Sequence, residues 1–166
     1  MRIAQVLFAL AAAAAVAVPA SAATNADKST IARGRYLVMT SGCNDCHTPG
    51  YAQTGGKVPE ADWLTGNPVG FRGPWGVSYP ANLRLLAHSM PEAAWIARAR
   101  SQLLPPMPWF ALRDMTDADV RAIYRYIRSL GAKGVPAPAY VAPDRKVATP
   151  YIEFVPKNLP HKSAAR

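Results

Sequence analysis

A chain of 166 residues with a net charge of +9 has the length of one domain rather than several. Half of its residues are apolar, but only the first apolar run approaches the ~20 residues that cross a bilayer, which excludes a protein of many spans. Its two cysteines are too few for a zinc site built from four thiolates.

The chain opens with Met1-Arg2, an alanine-rich apolar run over residues 3–18, Pro19 and Ala20-Ser21-Ala22. This is the order of a signal peptide: an n-region, an h-region and an A-x-A cleavage site, assigned to residues 1–22. Cleavage is expected after Ala22. An uncleaved membrane anchor is the alternative, and the shortness and alanine content of the run count against it. No cysteine stands at the cleavage site, so a lipid anchor there is excluded. In a bacterium, export would deliver the chain to the periplasm. Losing the leader removes Arg2 and no acid, so the mature chain stays basic. A basic exported surface is drawn to acidic protein faces and weakly to anionic membrane surfaces. Nucleic acid is not an expected partner in that compartment.

Residues 23–29 are read as a flexible lead-in. A first helix is expected over residues 30–40, capped by Ser29 or Thr30 and ended by Gly42. Gly34 lies inside it at a cost of about 1 kcal/mol relative to alanine, which suggests that another element crosses closely there. Directly after the helix comes Cys43-Asn44-Asp45-Cys46-His47. This is C-x-x-C-H, the attachment pattern for covalent haem. Thiols at this spacing can both reach the vinyl edges of one porphyrin and become thioethers. The next residue, His47, is then held under the ring with an imidazole nitrogen for the iron. A thioredoxin-like dithiol would need a βαβ context, which the chain lacks. A zinc site would need distant His88 and His161 to join the two cysteines. A plain disulfide is compatible with an oxidising compartment. Haem is the reading that uses both cysteines and His47 at their spacing.

Residues 48–84 are crowded with glycine and proline and carry Trp63, Phe71, Trp75 and Tyr79. So long a loop is unusual in a compact domain unless it wraps a cofactor. A second helix is expected over residues 91–103, with Ser89 and Glu92 as a capping box and Pro91 in its first turn. The last helix is the clearest. Thr116 and Asp119 give its start, Val120, Ile123, Tyr124, Ile127 and Leu130 recur at helical spacing, and Gly131 stops it. The segment from residue 132 to 166 is proline-rich and basic and is expected to lie extended on the surface.

Iron held by His47 needs a sixth ligand or keeps an open position. Met39 precedes the haem motif on the same helix, Met90 and Met115 adjoin helix starts, and His161 lies in the tail. Met107 stands between Pro105-Pro106 and Pro108, where a proline-fixed loop can hold a thioether rigidly. Met/His ligation occurs in cytochromes c, so Met107 is preferred and His88 is second.

The chain resembles the monohaem class I c-type cytochromes, in particular small exported cytochromes and cytochrome subunits of periplasmic dehydrogenases. The likeness is carried by Gly34-Arg35-Tyr36-Leu37 before the haem pentapeptide, by Gly73-Pro74-Trp75-Gly76 through Asn82-Leu83, by Pro106-Met107-Pro108-Trp109, and by the helix from Thr116 to Leu130. It covers residues 30–131. It implies an all-α cytochrome c fold, with three to four helices and long loops wrapped round one covalent haem c. The first and last helices would cross at Gly34, near Ile123 and Tyr126. Cys43 and Cys46 would attach the haem, and His47 and Met107 would be the axial metal ligands. After Leu83 the chain departs from its relatives with Arg84-Leu85-Leu86-Ala87-His88-Ser89, which leaves the local path open. Trp75, Asn82 and Trp109 are further pocket candidates. The implied function is outer-sphere electron transfer, with no catalytic residue. A periplasmic dehydrogenase would be the donor, and an oxidase or another cytochrome the acceptor. Arg98, Arg100, Arg121, Arg125 and Arg128 are candidates for docking such partners or are ordinary solvated faces. Two other readings are the electron-accepting subunit of one dehydrogenase complex and a haem enzyme or ligand sensor with an open sixth position.

Overall fold

The computed structural model describes residues 20–158. The expected signal peptide, except its last three residues, and His161 lie outside the described residues. In chain order the elements are α1 (Ala20–Thr40), α2 (Cys43–His47), a 3-10 turn (Glu60–Asp62), β1 (Gly70–Gly73), β2 (Gly76–Ser78), α3 (Leu83–Ser89), α4 (Glu92–Ala99), α5 (Trp109–Asp114), α6 (Asp117–Ser129) and β3 (Tyr151–Glu153). No helix among the described residues is long and apolar enough to cross a membrane.

The frame is the crossing of α1 and α6. The apolar stripe of α6 buries Val120, Ile123, Tyr126 and Ile127, and α1 answers with Leu37 and Val38. Gly34 sits at the crossing point. A Cβ placed on it would fall on the Ala122 carbonyl oxygen, 2.5 Å from its carbon and 2.7 Å from Tyr126 Cβ. The small residue in α1 therefore lets two backbones meet. Charges at the rim add to the crossing: Arg33 to Asp119 at 2.9 Å, Arg125 to Asp27 at 3.1 Å, and Tyr126 Oη donating to Glu60 at 2.8 Å. The Thr116 hydroxyl caps α6 by accepting from the Asp119 N–H at 3.1 Å, and Gly131 takes the left-handed φ of +75° just beyond its end.

Several expectations are corrected. Helix α1 starts at Ala20 rather than near residue 30, so residues 23–29, expected to lie outside it, are part of the helix. Ser29 and Thr30 do not cap; their hydroxyls bond back to the Ala26 carbonyl within the helix. The fold is not all-α, nor limited to three or four helices. Among the described residues it has six α-helices and one three-stranded sheet of order β2-β1-β3. Inside the glycine-rich loop a hairpin pairs Phe71 with Ser78 and Gly73 with Gly76. Residues from the tail then add β3 in parallel, Gly70 opposite Tyr151 and Arg72 opposite Glu153. The capping box at Ser89 and Glu92 does not form either. Ser89 ends α3 with its hydroxyl on the Leu86 carbonyl, and α4 runs only to Ala99 with no side-chain cap.

The unusual run after Leu83 is explained by Arg84. Asn82 caps the helix, its side chain accepting from the Leu85 N–H at 3.0 Å. Arg84 is then turned inward and is only 5 % exposed. Its guanidinium donates to the carbonyls of Gly131 at 2.6 Å, Ala61 at 2.8 Å, and Leu130. These include the carbonyls of Leu130, the residue that closes α6, and of Gly131 just beyond it, neither of which has a partner inside the helix. Arg84 thus caps α6 from a separate helix.

Candidate haem site

Between α2, the segment after β2, α4, the proline loop and α6 lies a cavity of about 420 Å3, within the range of small-molecule and cofactor sites. Cys43, Cys46, His47 and Met107 all lie on its wall. The rest of the wall is mainly apolar, including Leu86, Trp95, Val120 and Ile123. Among the described residues no carboxylate contributes to it, and Arg98 is its one arginine.

Helix α2 is a single turn that begins after Gly42, whose φ of +71° redirects the chain out of α1. It brings Cys43, Cys46 and His47 to one side. The thiols are free. Burial pushes the Cys43 thiol up to about 11, and burial also raises Cys46. Among the described residues no cluster of three or more His, Cys, Asp or Glu could hold a metal ion.

His47 is buried and fixed from two sides. Its Nδ1 donates to the Ala81 carbonyl at 2.7 Å, because a carbonyl can only accept. This leaves Nε2 as the nitrogen with a lone pair, the tautomer that such an orienting bond selects in metal-binding histidines. Burial lowers the His47 pKa, which favours the neutral ring, against a smaller opposing effect of the Ala81 bond. The His47 carbonyl accepts from Gly66 N–H at 2.8 Å. Gly66 has φ +83°, and a Cβ there would come within 2.8 Å of the Asn82 nitrogen. The backbone at 81–82 and at 66 thus closes tightly around the histidine. Asn82 also donates to the carbonyls of Lys133 at 2.8 Å and Val135 at 3.1 Å. Thr48 completes the support: its hydroxyl donates to Asn44 and accepts from the Leu64 N–H, each at 2.8 Å.

Met107 lies in a loop held at three points. Its N–H donates to Leu104 at 3.2 Å, its carbonyl accepts from Trp109 N–H at 2.8 Å, and the Ser78 hydroxyl of β2 donates to the Pro105 carbonyl. Of the other ligand candidates, Met115 also reaches the wall. Met39 does not; it is exposed and its sulfur accepts from Arg35 at 3.2 Å. Met90 packs on the hydrophobic core. His88 is likewise absent from the wall, and its Nδ1 donates to the Arg84 carbonyl at 2.8 Å within α3. Trp75, Asn82 and Trp109 do not form the wall; Asn82 and Trp109 each follow a residue that does, and Trp75 is bonded to one, Tyr140. The Trp75 indole N–H is buried without an acceptor among the described residues, a condition that a carboxylate-bearing cofactor would relieve.

Most of the arginines considered for docking are used internally. Arg121 and Arg125 share Glu92 at 2.6 and 3.1 Å, Arg100 pairs with Asp117, and Arg128 lies over the Tyr124 ring at 5.8 Å. Sequence reasoning did not anticipate Pro138 and Tyr140 on the wall, because nothing local marks the tail as part of a pocket.

The donor set and the apolar wall fit a porphyrin joined through two thiols, with an imidazole and a thioether at hand. This defines a covalent-haem electron-transfer domain. The family model for cytochrome c matches residues 31–131, and the chain belongs to the cytochrome c family, whose cofactor is covalently bound haem c. It is 29% identical over 126 residues to the fructose dehydrogenase cytochrome subunit of Gluconobacter japonicus. The match takes in 69% of this chain and 24% of the relative, so the chain spans about a quarter of that protein's length. No solved structure matches it.

Proposed function

We propose that this chain is an exported, periplasmic electron carrier, with one haem c attached through Cys43 and Cys46 and ligated by His47 and Met107. The observation that carries the reading is the common wall: two thiols, an imidazole with its Nδ1 already committed, and a proline-held thioether facing one apolar cavity. When bound, the haem supplies one reversible electron at its iron. The protein's part is to hold and insulate. The Ala81 carbonyl orients His47 and raises its basicity. The loop bonds of Leu104, Ser78 and Trp109 limit the motion of Met107. Thioether ligation raises the reduction potential, and the apolar wall tunes it further. Redox proteins are the partners: a periplasmic dehydrogenase as donor and an oxidase or another cytochrome as acceptor.

A second reading is favoured by the likeness to a fructose dehydrogenase cytochrome subunit. In it the chain is the electron-accepting subunit of one dehydrogenase complex. Gel filtration of a native extract separates the two, since a complex elutes far above the 17.8 kDa of the chain. The shared core is tested by replacing Cys43→Ala together with Cys46→Ala. Acid–acetone should then extract all haem, and haem that stays with the protein would refute attachment through these thiols.

A further inference from the structure

The cytochrome c match ends at residue 131, but the structure does not treat the following residues as a loose tail. Lys133 donates to Asp62 at 2.6 Å and to the Ala61 carbonyl at 3.1 Å. The carbonyls of Lys133 and Val135 are held by Asn82, next to the carbonyl that orients His47. Val141 forms both bonds of an antiparallel bridge with Val77, 2.7 and 3.0 Å long. Tyr140 Oη donates to the Trp75 carbonyl at 2.7 Å, and the Tyr79 and Thr149 hydroxyls meet. Strand β3 then pairs with β1, and Phe154 packs at 6.3 Å from Phe71 and 6.1 Å from Trp75, centroid to centroid. Gly76 has the space for this: a Cβ on it would strike the Val141 carbonyl oxygen. In the middle of this strap, Pro138 and Tyr140 form part of the cavity wall.

We propose that residues 132–154 are a built-in part of the haem site, a strap whose Pro138 and Tyr140 cover one side of the haem and keep water from it. The inference rests on the reading of the cavity as the haem site. A strap that excludes water disfavours the more highly charged ferric state and so raises the potential. The ring of Tyr140 does the covering, while its hydroxyl only ties it to Trp75. The strap also braces Trp75, whose unpaired indole N–H is the buried donor noted above.

The test uses the full-length holoprotein. In the unmodified protein, the amides of Val77 and Val141 should exchange with solvent at least ~100-fold more slowly than in a free peptide. Exchange at the free-peptide rate would overturn the proposal without any variant. Tyr140→Ala and Val141→Pro should keep covalent haem yet lower the midpoint potential, whereas Tyr140→Phe should leave it unchanged. An unaltered potential in Tyr140→Ala would overturn the covering role, and so would a fall in Tyr140→Phe as large as that in Tyr140→Ala. Haem that acid–acetone removes from the unmodified protein would instead refute the haem-site reading itself, so the two failures are told apart.

Discussion

Replacing Gly34 by alanine asks whether the α1–α6 crossing is as tight as described. On an exposed helix position the change would stabilise, since alanine is favoured over glycine by about 1 kcal/mol. Here the new methyl would lie on the Ala122 carbonyl oxygen, 2.5 Å from the carbonyl carbon and 2.7 Å from Tyr126 Cβ. Backbone atoms cannot rotate away, so the helices must part by about 1 Å to restore ordinary carbon contacts. Overpacking of this kind costs about 1–3 kcal/mol. Parting the helices also disturbs Arg33–Asp119 and Tyr126–Glu60. Less the gain from alanine, we expect a net loss of about 1–2 kcal/mol, a sizeable fraction of a typical domain's stability. The measurement is urea unfolding of the holoprotein, followed by circular dichroism. Because α6 carries Val120 and Ile123 on the cavity wall, the haem absorption should shift as well. A Gly34→Ala protein as stable as the parent, or more stable, would refute the reasoning.

Arg84→Ala should destabilise by about 2 kcal/mol, because the Leu130 and Gly131 carbonyls lose their donor and Ala61 keeps only Lys133. Arg84→Lys should rescue only part of this, since one ammonium cannot reproduce the guanidinium fork; full rescue in urea unfolding would count against the capping role. Gly66→Ala forces a side chain into φ +83° and against the Asn82 nitrogen, and should cost about 1–2 kcal/mol and lower the reduction potential by loosening the Ala81 bond to His47. An unchanged melting temperature and potential would contradict that. Hydrogen bonding from Arg33 holds the Asp119 carboxyl below the usual range. Burial pushes Glu92 up, but its bonds to Arg121 and Arg125 outweigh this and hold it below its ordinary value. Lowered carboxyl pKa values contribute stability above the unfolded pKa that is lost as the pH falls through the folded one. Stability should therefore drop by about 1 kcal/mol between about pH 5 and about pH 3 from these groups, and Glu92→Gln with Asp119→Asn should flatten that slope in thermal melts.

What was legible in the sequence was local. The C-x-x-C-H motif, the Thr116 cap, the stripe from Val120 to Leu130 and the proline frame of Met107 each carry their signal within a few residues. Gly34 was legible because a glycine in a good helix needs a reason, and the Ala122 backbone supplies it. What stayed hidden depends on partners far along the chain. Strand β1 is completed by β3, which follows it by most of the domain, so neither reads as a strand alone. Arg84 stood in a stretch whose path the sequence left open, and its partners lie far off, just past α6 and in the 3-10 turn. Ser89 and Glu92 matched a capping box, yet the Ser89 hydroxyl found the Leu86 carbonyl first. Pro138 and Tyr140 belong to the cavity only because Asn82 and Val77 hold the chain down on either side of them.

The most direct test of the account is the visible spectrum of the holoprotein, oxidised and then reduced. We expect low-spin c-type bands in both states and, in the oxidised form, the weak far-red band of a methionine–iron bond, lost in Met107→Ala while the haem stays attached. Haem bands without the far-red band, or a Met107→Ala spectrum identical to the parent, would contradict ligation by His47 and Met107.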